Sequence, residues 1–118
     1  MAKPIDIVKS YYEAFDKHDF QKARTLMHDR FKFTGPMMEA NTPEELIAKM
    51  KEMGCEFKTR ILHIAEAGNT VGVLADCVMT KPAALTMRMS EWFTVENGKL
   101  VAANLVYDTA KMSKACTA

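Results

Sequence analysis

The segment LTMRMSEWFTVENGKLVAANLVYD, residues 85–108, contains the pattern that decides the fold. Two runs rich in aromatic, β-branched and other apolar residues flank Asn97-Gly98, a dipeptide typical of a two-residue β-hairpin turn. The sequence therefore predicts antiparallel strands over residues 85–95 and 99–108.

The same pattern continues upstream of this hairpin. Residues 56–66 and 70–80 are predicted strands, and Gly68-Asn69 between them is a second hairpin signal. A weaker turn signal at residues 81–84 precedes the predicted strand that begins at Leu85. Three consecutive antiparallel connections predict a four-stranded meander.

Helical periodicity occupies the N-terminal part of the chain. Apolar residues recur at helical spacing over residues 5–17, and Pro4 suits a first helical turn. A second, short helix is predicted over residues 19–28, with Asp19 as its N-cap. Alternation over residues 30–34 then predicts a short strand.

A third helix begins at Thr42-Pro43-Glu44-Glu45, where Thr42 and Glu45 form a capping box, and Gly54 is expected to end it. Three helices followed by a meander define an α+β fold. We expect one domain over residues 1–118, with its core at about residues 5–108 and a tail that frays. The simplest packing of these elements is a curved antiparallel sheet wrapped around the three N-terminal helices. Such a sheet leaves a conical cavity between its concave face and the first helix.

Composition excludes several classes of protein. A formal net charge of +1 gives no positive electrostatic potential that would bind a phosphate backbone, so we expect no nucleic-acid partner. No apolar run is long enough to cross a membrane, and the N-terminus lacks the apolar core of a signal peptide. Three cysteines without CxxC spacing indicate reduced thiols in a cytoplasmic protein, and the histidines lack metal-ligand spacing. We therefore predict no metal site and no cofactor.

Several motifs together resemble the NTF2-like superfamily and its SnoaL-like branch. Tyr11-Tyr12-Glu13-Ala14-Phe15, His18-Asp19-Phe20 and Gly35-Pro36 resemble the opening of NTF2-like domains. The stretch EWFTVENGKL at residues 91–100, followed by Tyr107-Asp108, looks like the final hairpin of the SnoaL-like branch. The resemblance implies a cystatin-like cone. It does not decide function, because the superfamily includes ketosteroid isomerase, polyketide cyclases, epoxide hydrolases and non-catalytic transport factors.

The ketosteroid isomerases of this superfamily use a carboxylate base, a tyrosine and a protonated aspartic acid. By resemblance, the tyrosine falls at Tyr11, the base at Gly35 and the aspartic acid at Ser90. Only one of three roles is kept, so the resemblance predicts that this protein does not isomerise ketosteroids. A structural alternative for Tyr11 is an aromatic ring that fills the cone.

Asp76 and Arg88 are the candidate catalytic pair. The register implied by the resemblance places Asp76 on the concave face of one strand, and Arg88, Ser90 and Trp92 on the concave face of the next. A buried charge without a partner is costly, so the two charged residues are expected to pair inside the cavity. The alternative is a purely structural ion pair, or an Arg88 that points outward. The related epoxide hydrolases use an Arg-x-Asp spacing, but Arg88 is followed at that spacing by Ser90.

A second register follows from hydrophobicity alone and turns Arg88 outward, with Met87, Met89 and Phe93 inward. The resemblance favours the first register, because this fold commonly forms dimers through its convex sheet face and a dimer would bury a second apolar stripe. Met37, Met38, Met87 and Met89 either line an adaptable apolar surface or fill the core.

Two hypotheses for function follow. One is a cofactor-free isomerase, cyclase or hydrolase that acts on an apolar small molecule, and the other is a non-enzymatic carrier, sensor or protein-binding dimer. The predicted partners are an apolar ligand and a second copy of the chain. The predicted site consists of the catalytic candidates Tyr11, Asp76 and Arg88 and the ligand-binding candidates Phe15, Phe31, Phe33, Ser90, Trp92 and Tyr107.

Overall fold

The computed structural model describes residues 2–110 and shows three helices and six strands in that part of the chain. The helices are α1 (Pro4–Asp16), α2 (Phe20–Thr25) and α3 (Pro43–Met53). The strands are β1 (Met27–Thr34), β2 (Glu39–Ala40), β3 (Glu56–Ala67), β4 (Thr70–Lys81), β5 (Leu85–Glu96) and β6 (Lys99–Tyr107). The predicted tail beyond residue 110 lies outside the described residues.

All six strands belong to one sheet, in the order β2-β1-β6-β5-β4-β3. Strands β3 to β6 form the predicted antiparallel meander, and β1 adds to β6 in parallel. Asn97 and Gly98 both adopt the positive φ angles that a hairpin turn of this length requires. The predicted α+β class is confirmed.

The second helix is shorter than predicted. It ends at Thr25, and Met27 already pairs with Leu100 of β6. The backbone N–H of Leu100 donates to the carbonyl oxygen of Leu26 at 2.9 Å, so pairing with β6 draws this segment into the sheet. The predicted loop after β1 also contains the two-residue strand β2.

Register shifts bend the sheet around the helices. One shift lies in β3 between Ile61 and His63, and another lies where Thr94 and Val95 of β5 pair with β6. Such irregularities increase the local twist and curvature of a sheet. The concave side thereby forms a trough that α1 and α3 cover.

Helix α1 is tied to β3 at both of its ends. The backbone N–H of Ile5 donates to Oε1 of Glu66 at 3.0 Å. At the other end, the Asp16 carboxylate accepts from the backbone N–H and the hydroxyl of Thr59, at 2.8 and 3.0 Å. These bonds fix how α1 lies across the sheet and therefore where Tyr11 and Tyr12 point.

None of the helices within residues 2–110 has the length and apolar character needed to cross a bilayer.

Candidate functional site

A cavity of about 540 Å³ opens between the concave face of the sheet and helices α1 and α3. That volume is typical of a small-molecule site. Methionine and aromatic side chains form most of the lining. The seven methionines are Met37, Met38, Met50, Met53, Met79, Met87 and Met89. The six aromatic residues of the lining are Tyr11, Tyr12, Phe15, Phe33, Phe57 and Tyr107.

The structure places four of the predicted site residues in this lining: Tyr11, Phe15, Phe33 and Tyr107. Phe31 is fully buried and does not line the cavity, because it packs behind the lining in the core. Of the alternatives for the methionines, the structure supports a cavity lining for Met37, Met38, Met87 and Met89.

The predicted inward orientation of Asp76, Arg88, Ser90 and Trp92 is wrong. On β4 the inward residues are Val73, Ala75, Cys77 and Met79, and on β5 they are Met87, Met89, Glu91 and Phe93. Asp76, Arg88, Ser90 and Trp92 have the opposite parity and lie on the convex face. The hydrophobic pattern of β5 therefore sets the register, because the cavity face buries more apolar surface than the convex face does.

The predicted pairing of Asp76 with Arg88 is present, but it lies outside the cavity. Oδ1 of Asp76 accepts from Nε of Arg88 at 2.6 Å, and Oδ2 accepts from Nη2 of Arg60 at 2.8 Å. The hydrogen bond from Arg88, and then that from Arg60, hold the pKa of Asp76 below its usual range. Sequence reasoning missed Arg60, although Arg60, Asp76 and Arg88 occupy one row across three strands. The cluster links β3, β4 and β5 and does not contact the cavity.

Glu91 is the charged residue that reaches the interior of the cavity. It lies on β5 with only 3% of its surface exposed, and the hydroxyl of Tyr12 donates to its Oε1 at 2.7 Å. Burial raises the pKa of Glu91 to about 7, against the smaller lowering effect of the Tyr12 hydrogen bond. A carboxyl group with such a pKa exchanges protons readily near neutral pH.

The second carboxyl oxygen of Glu91, Oε2, accepts no hydrogen bond from residues 2–110. In this part of the chain, no buried side-chain oxygen is both sealed from open space and without a partner. Since Glu91 lines the cavity, Oε2 is open to it. A ligand in the cavity can therefore reach one oxygen while Tyr12 holds the other.

Tyr11 places a hydroxyl group in the same cavity. This hydroxyl makes no hydrogen bond within the described chain and is not sealed from open space. Burial, and secondly the charge of Glu91, raise the pKa of Tyr11 well above its usual value, so the phenol stays protonated. Tyr11 is thus available as a hydrogen-bond donor to a ligand.

The structure changes one premise of the prediction about ketosteroid isomerisation. Gly35 lines the cavity and, as predicted, offers no side chain. Ser90 faces away, while its neighbour Glu91 brings a carboxyl group into the cavity. The missing side chain at Gly35 therefore no longer supports the prediction by itself, because Glu91 supplies a carboxyl group inside the same cavity.

Sequence reasoning missed Glu91, because a single acidic residue within an apolar stripe does not by itself indicate a site. The available signal was parity, since Glu91 has the same parity on the strand as Met87, Met89 and Phe93 and therefore shares their face. Among residues 2–110, no group of three or more His, Cys, Asp or Glu side chains has a metal-binding arrangement.

The comparisons with known proteins fit this fold. The family model of the SnoaL-like domain matches residues 8–103, so the chain belongs to the SnoaL-like family. No curated sequence is detectably similar to the chain.

Solved structures with this fold are similar over nearly the whole chain. An NTF2-like protein of unknown function from Cytophaga hutchinsonii has a TM-score of 0.84 and 22% identity, covering 95% of this chain and 96% of that chain. An LEH-like epoxide hydrolase from M. tuberculosis has a TM-score of 0.83 and 16% identity, covering 97% and 89%. A protein from Catenulispora acidiphila with a ketosteroid isomerase-like fold, in complex with trimethylamine, has a TM-score of 0.80 and 12% identity, covering 94% and 92%. At these identities the likeness shows the fold alone.

Proposed function

We propose that this protein binds an apolar small molecule in its cavity and transfers a proton on it without a cofactor. The observation that carries this proposal is the Glu91 carboxyl group, which is buried in an apolar cavity with one oxygen held by Tyr12 and the other open to a ligand. Of the three predicted catalytic candidates, Tyr11 is kept in this proposal, and Glu91 takes the place of Asp76 and Arg88.

The two groups suit complementary steps of one reaction. Glu91, with a pKa of about 7, accepts a proton from an acidic carbon or oxygen of the ligand. Tyr11 donates a hydrogen bond to the ligand oxygen on which negative charge develops, and such a donor acts strongly in a cavity of low polarity. The proton then returns from Glu91 to another position, or to the same position after exchange with water.

The open cavity favours this hypothesis over a closed, structural cone. The solved structures with this fold include an epoxide hydrolase and a protein in complex with trimethylamine, which supports a ligand-binding use of the fold without naming the ligand of this chain. The methionine lining adapts to apolar molecules of different shapes.

A proton-exchange assay tests the proposal with a defined probe. Benzylacetone, an aromatic ketone, is incubated with the protein in D₂O, and loss of the protons next to its carbonyl is followed by NMR. Glu91 breaks the C–H bond by taking the proton, and a deuteron from solvent replaces it. We expect exchange above background, a loss of about 10²-fold to 10⁴-fold in Glu91→Gln, and a substantial loss in Tyr11→Phe.

The matched control is Ser90→Ala, which alters the neighbouring residue on the opposite face of the same strand. It should keep the rate of the unmodified protein. Binding of the ketone without exchange would contradict proton transfer and would favour the non-enzymatic carrier.

A further inference from the structure

The charges that line the cavity are mostly negative. Glu39 and Glu52 lie at its exposed rim, and Glu91 lies inside it. Within the described chain, Lys49 is the single cationic residue of the lining. Three carboxylates against one ammonium group make the cavity a poor site for an anionic ligand.

Lys49 already has partners of its own. Its ammonium group donates to the carbonyl oxygen of Glu39 at 2.6 Å and lies 3.2 Å from Oε1 of Glu45. Arg60 and Arg88 are bound to Asp76 on the convex face and do not reach the cavity. An anionic ligand would therefore find no uncommitted cation in the lining formed by residues 2–110.

Glu91 lacks the countercharge that a buried carboxylate normally has. Its single hydrogen bond within the described chain comes from a neutral tyrosine, and no cationic side chain of residues 2–110 forms a salt bridge with it. Burying an ionised carboxylate without a cation is costly, so a cation supplied by the ligand would recover much of that cost.

The geometry points to a protonated lipophilic amine as the ligand class, with its ammonium group on Oε2 of Glu91 and its apolar body among the methionines. This inference rests on the cavity being the ligand site of the proposed function, but it does not require proton transfer.

The aromatic groups around Glu91 support the same ligand. The rings of Tyr11 and Tyr12 lie 5.7 Å apart, and both residues line the cavity together with Glu91. Aromatic rings attract an ammonium group through their quadrupole, whereas they give no such advantage to a carboxylate. A carboxylate beside aromatic rings and thioethers therefore discriminates by charge as well as by size.

Three probes with the same skeleton test this inference: phenylbutylamine, phenylbutanol and phenylbutyrate. Binding is measured by titration calorimetry at pH about 8.5, where the amine is still protonated and Glu91, with its pKa of about 7, is ionised. We expect the amine to bind at least about tenfold more tightly than the alcohol, and the carboxylate to bind more weakly than both.

The variant Glu91→Gln keeps the size of the side chain and an oxygen that accepts from Tyr12. It should bring the affinity for the amine down to that of the alcohol and leave the alcohol nearly unchanged. Glu96→Gln, which is exposed at the end of the same strand and outside the cavity lining, is the matched control and should keep the preference for the amine. The probe series on the unmodified protein also tests the inference if Glu91→Gln does not fold.

Equal affinity for the three probes, or a preference for the carboxylate, would overturn the inference while leaving the cavity as a ligand site. If none of the three probes binds, the inference is rejected, and the deuterium exchange of benzylacetone decides the proposed function on its own. Failure of the deuterium exchange with the preference for the amine intact would reject proton transfer alone.

Discussion

A single carboxyl group determines much of the chemistry of this cavity. Glu91 is surrounded by apolar and aromatic residues, and Tyr12 holds it in place. Because burial penalises the ionised form, the folded protein holds a proton on Glu91 over a range of pH in which the unfolded chain has lost it. The stability of the protein should therefore depend on pH through this residue.

The first prediction concerns Glu91→Gln. The pKa of Glu91 rises from its ordinary 4.5 to about 7 on folding, so stability should fall as pH rises between these values and level off above them. The variant cannot ionise, so above pH about 7 it should be more stable than the unmodified protein by about 3 kcal/mol. Urea unfolding at a series of pH values measures the difference.

Comparing the two proteins isolates Glu91 from other carboxyl groups. Burial also raises the pKa of Asp16, but Asp16 is present in both proteins and its contribution cancels. Parallel stability curves from pH 5 to pH 8 would show that Glu91 is not the titrating group.

The second prediction concerns Tyr12→Phe. The hydroxyl of Tyr12 stabilises the ionised form of Glu91, so its removal should raise the pKa of Glu91 above about 7. Above that pH the variant should lose roughly 1–3 kcal/mol of stability, because the carboxylate loses its donor. Carbon NMR of the glutamate carboxyl groups measures the pKa directly.

Tyr11→Phe is the matched control for Tyr12→Phe. The two tyrosines are neighbours on α1, and only Tyr12 donates to Glu91. Tyr11→Phe should therefore change the pKa of Glu91 much less. Equal shifts in the two variants would mean that the hydrogen bond does not set this pKa.

At the scale of strands, the Asp76 cluster joins β3, β4 and β5 on the convex face. Two arginines share one carboxylate, and both arginines are more than half exposed, whereas the side chain of Asp76 is only 6% exposed. Removing either arginine leaves the other in place, but removing Asp76 leaves two cations side by side.

The third prediction follows from that asymmetry. Asp76→Ala should destabilise the protein more than Arg60→Ala or Arg88→Ala alone. In a double-mutant cycle, the Asp76→Ala and Arg88→Ala effects should not add, since the first change already removes the partner of the second. Urea unfolding of the four proteins measures the coupling. A coupling near zero would mean that the ion pair seen here contributes nothing to stability.

The order of helices and strands could be predicted from sequence, because capping boxes, hairpin turns and long alternating runs are local signals. Register could not, since β4 and β5 are apolar on one face and carry isolated apolar residues such as Trp92 on the other. The end of α2 depends on pairing with the distant strand β6, and β2, with two residues, is too short to show an alternating pattern. Glu91 became recognisable as a site only when its strand was placed against Tyr12.

At the scale of the whole molecule, the convex face keeps a small apolar patch, which we define as Leu74, Trp92 and Val106. Trp92 and Val106 are 53% and 61% exposed. Leu74 on β4 and Val106 on β6 pair with Ser90 on β5 from either side. Ser90 is two residues from Trp92 on the same strand, so all these residues share the convex face. The indole packs over Gly72, where an added Cβ would come within 2.7 Å of it, and donates to the hydroxyl of Ser90 at 3.1 Å.

The predicted homodimer now depends on this convex patch. The stripe of Met87 and Met89 that motivated it faces the cavity and needs no partner. The patch remains a reason to expect association, because an indole held rigidly on a sheet is a favourable centre for an interface. In a two-fold dimer the same patch would meet its own copy.

The last prediction tests that assembly. Light scattering after size exclusion should give about twice the 13.3 kDa of one chain. Val106→Arg should reduce the mass to that of one chain, because a two-fold contact would bring two added charges together in a desolvated interface. Gln21→Arg adds the same charge on the exposed surface of α2, away from the sheet, and should leave the dimer intact. A single-chain mass for the unmodified protein at micromolar concentration would show that the patch is too small and too polar at its edges to hold two copies together.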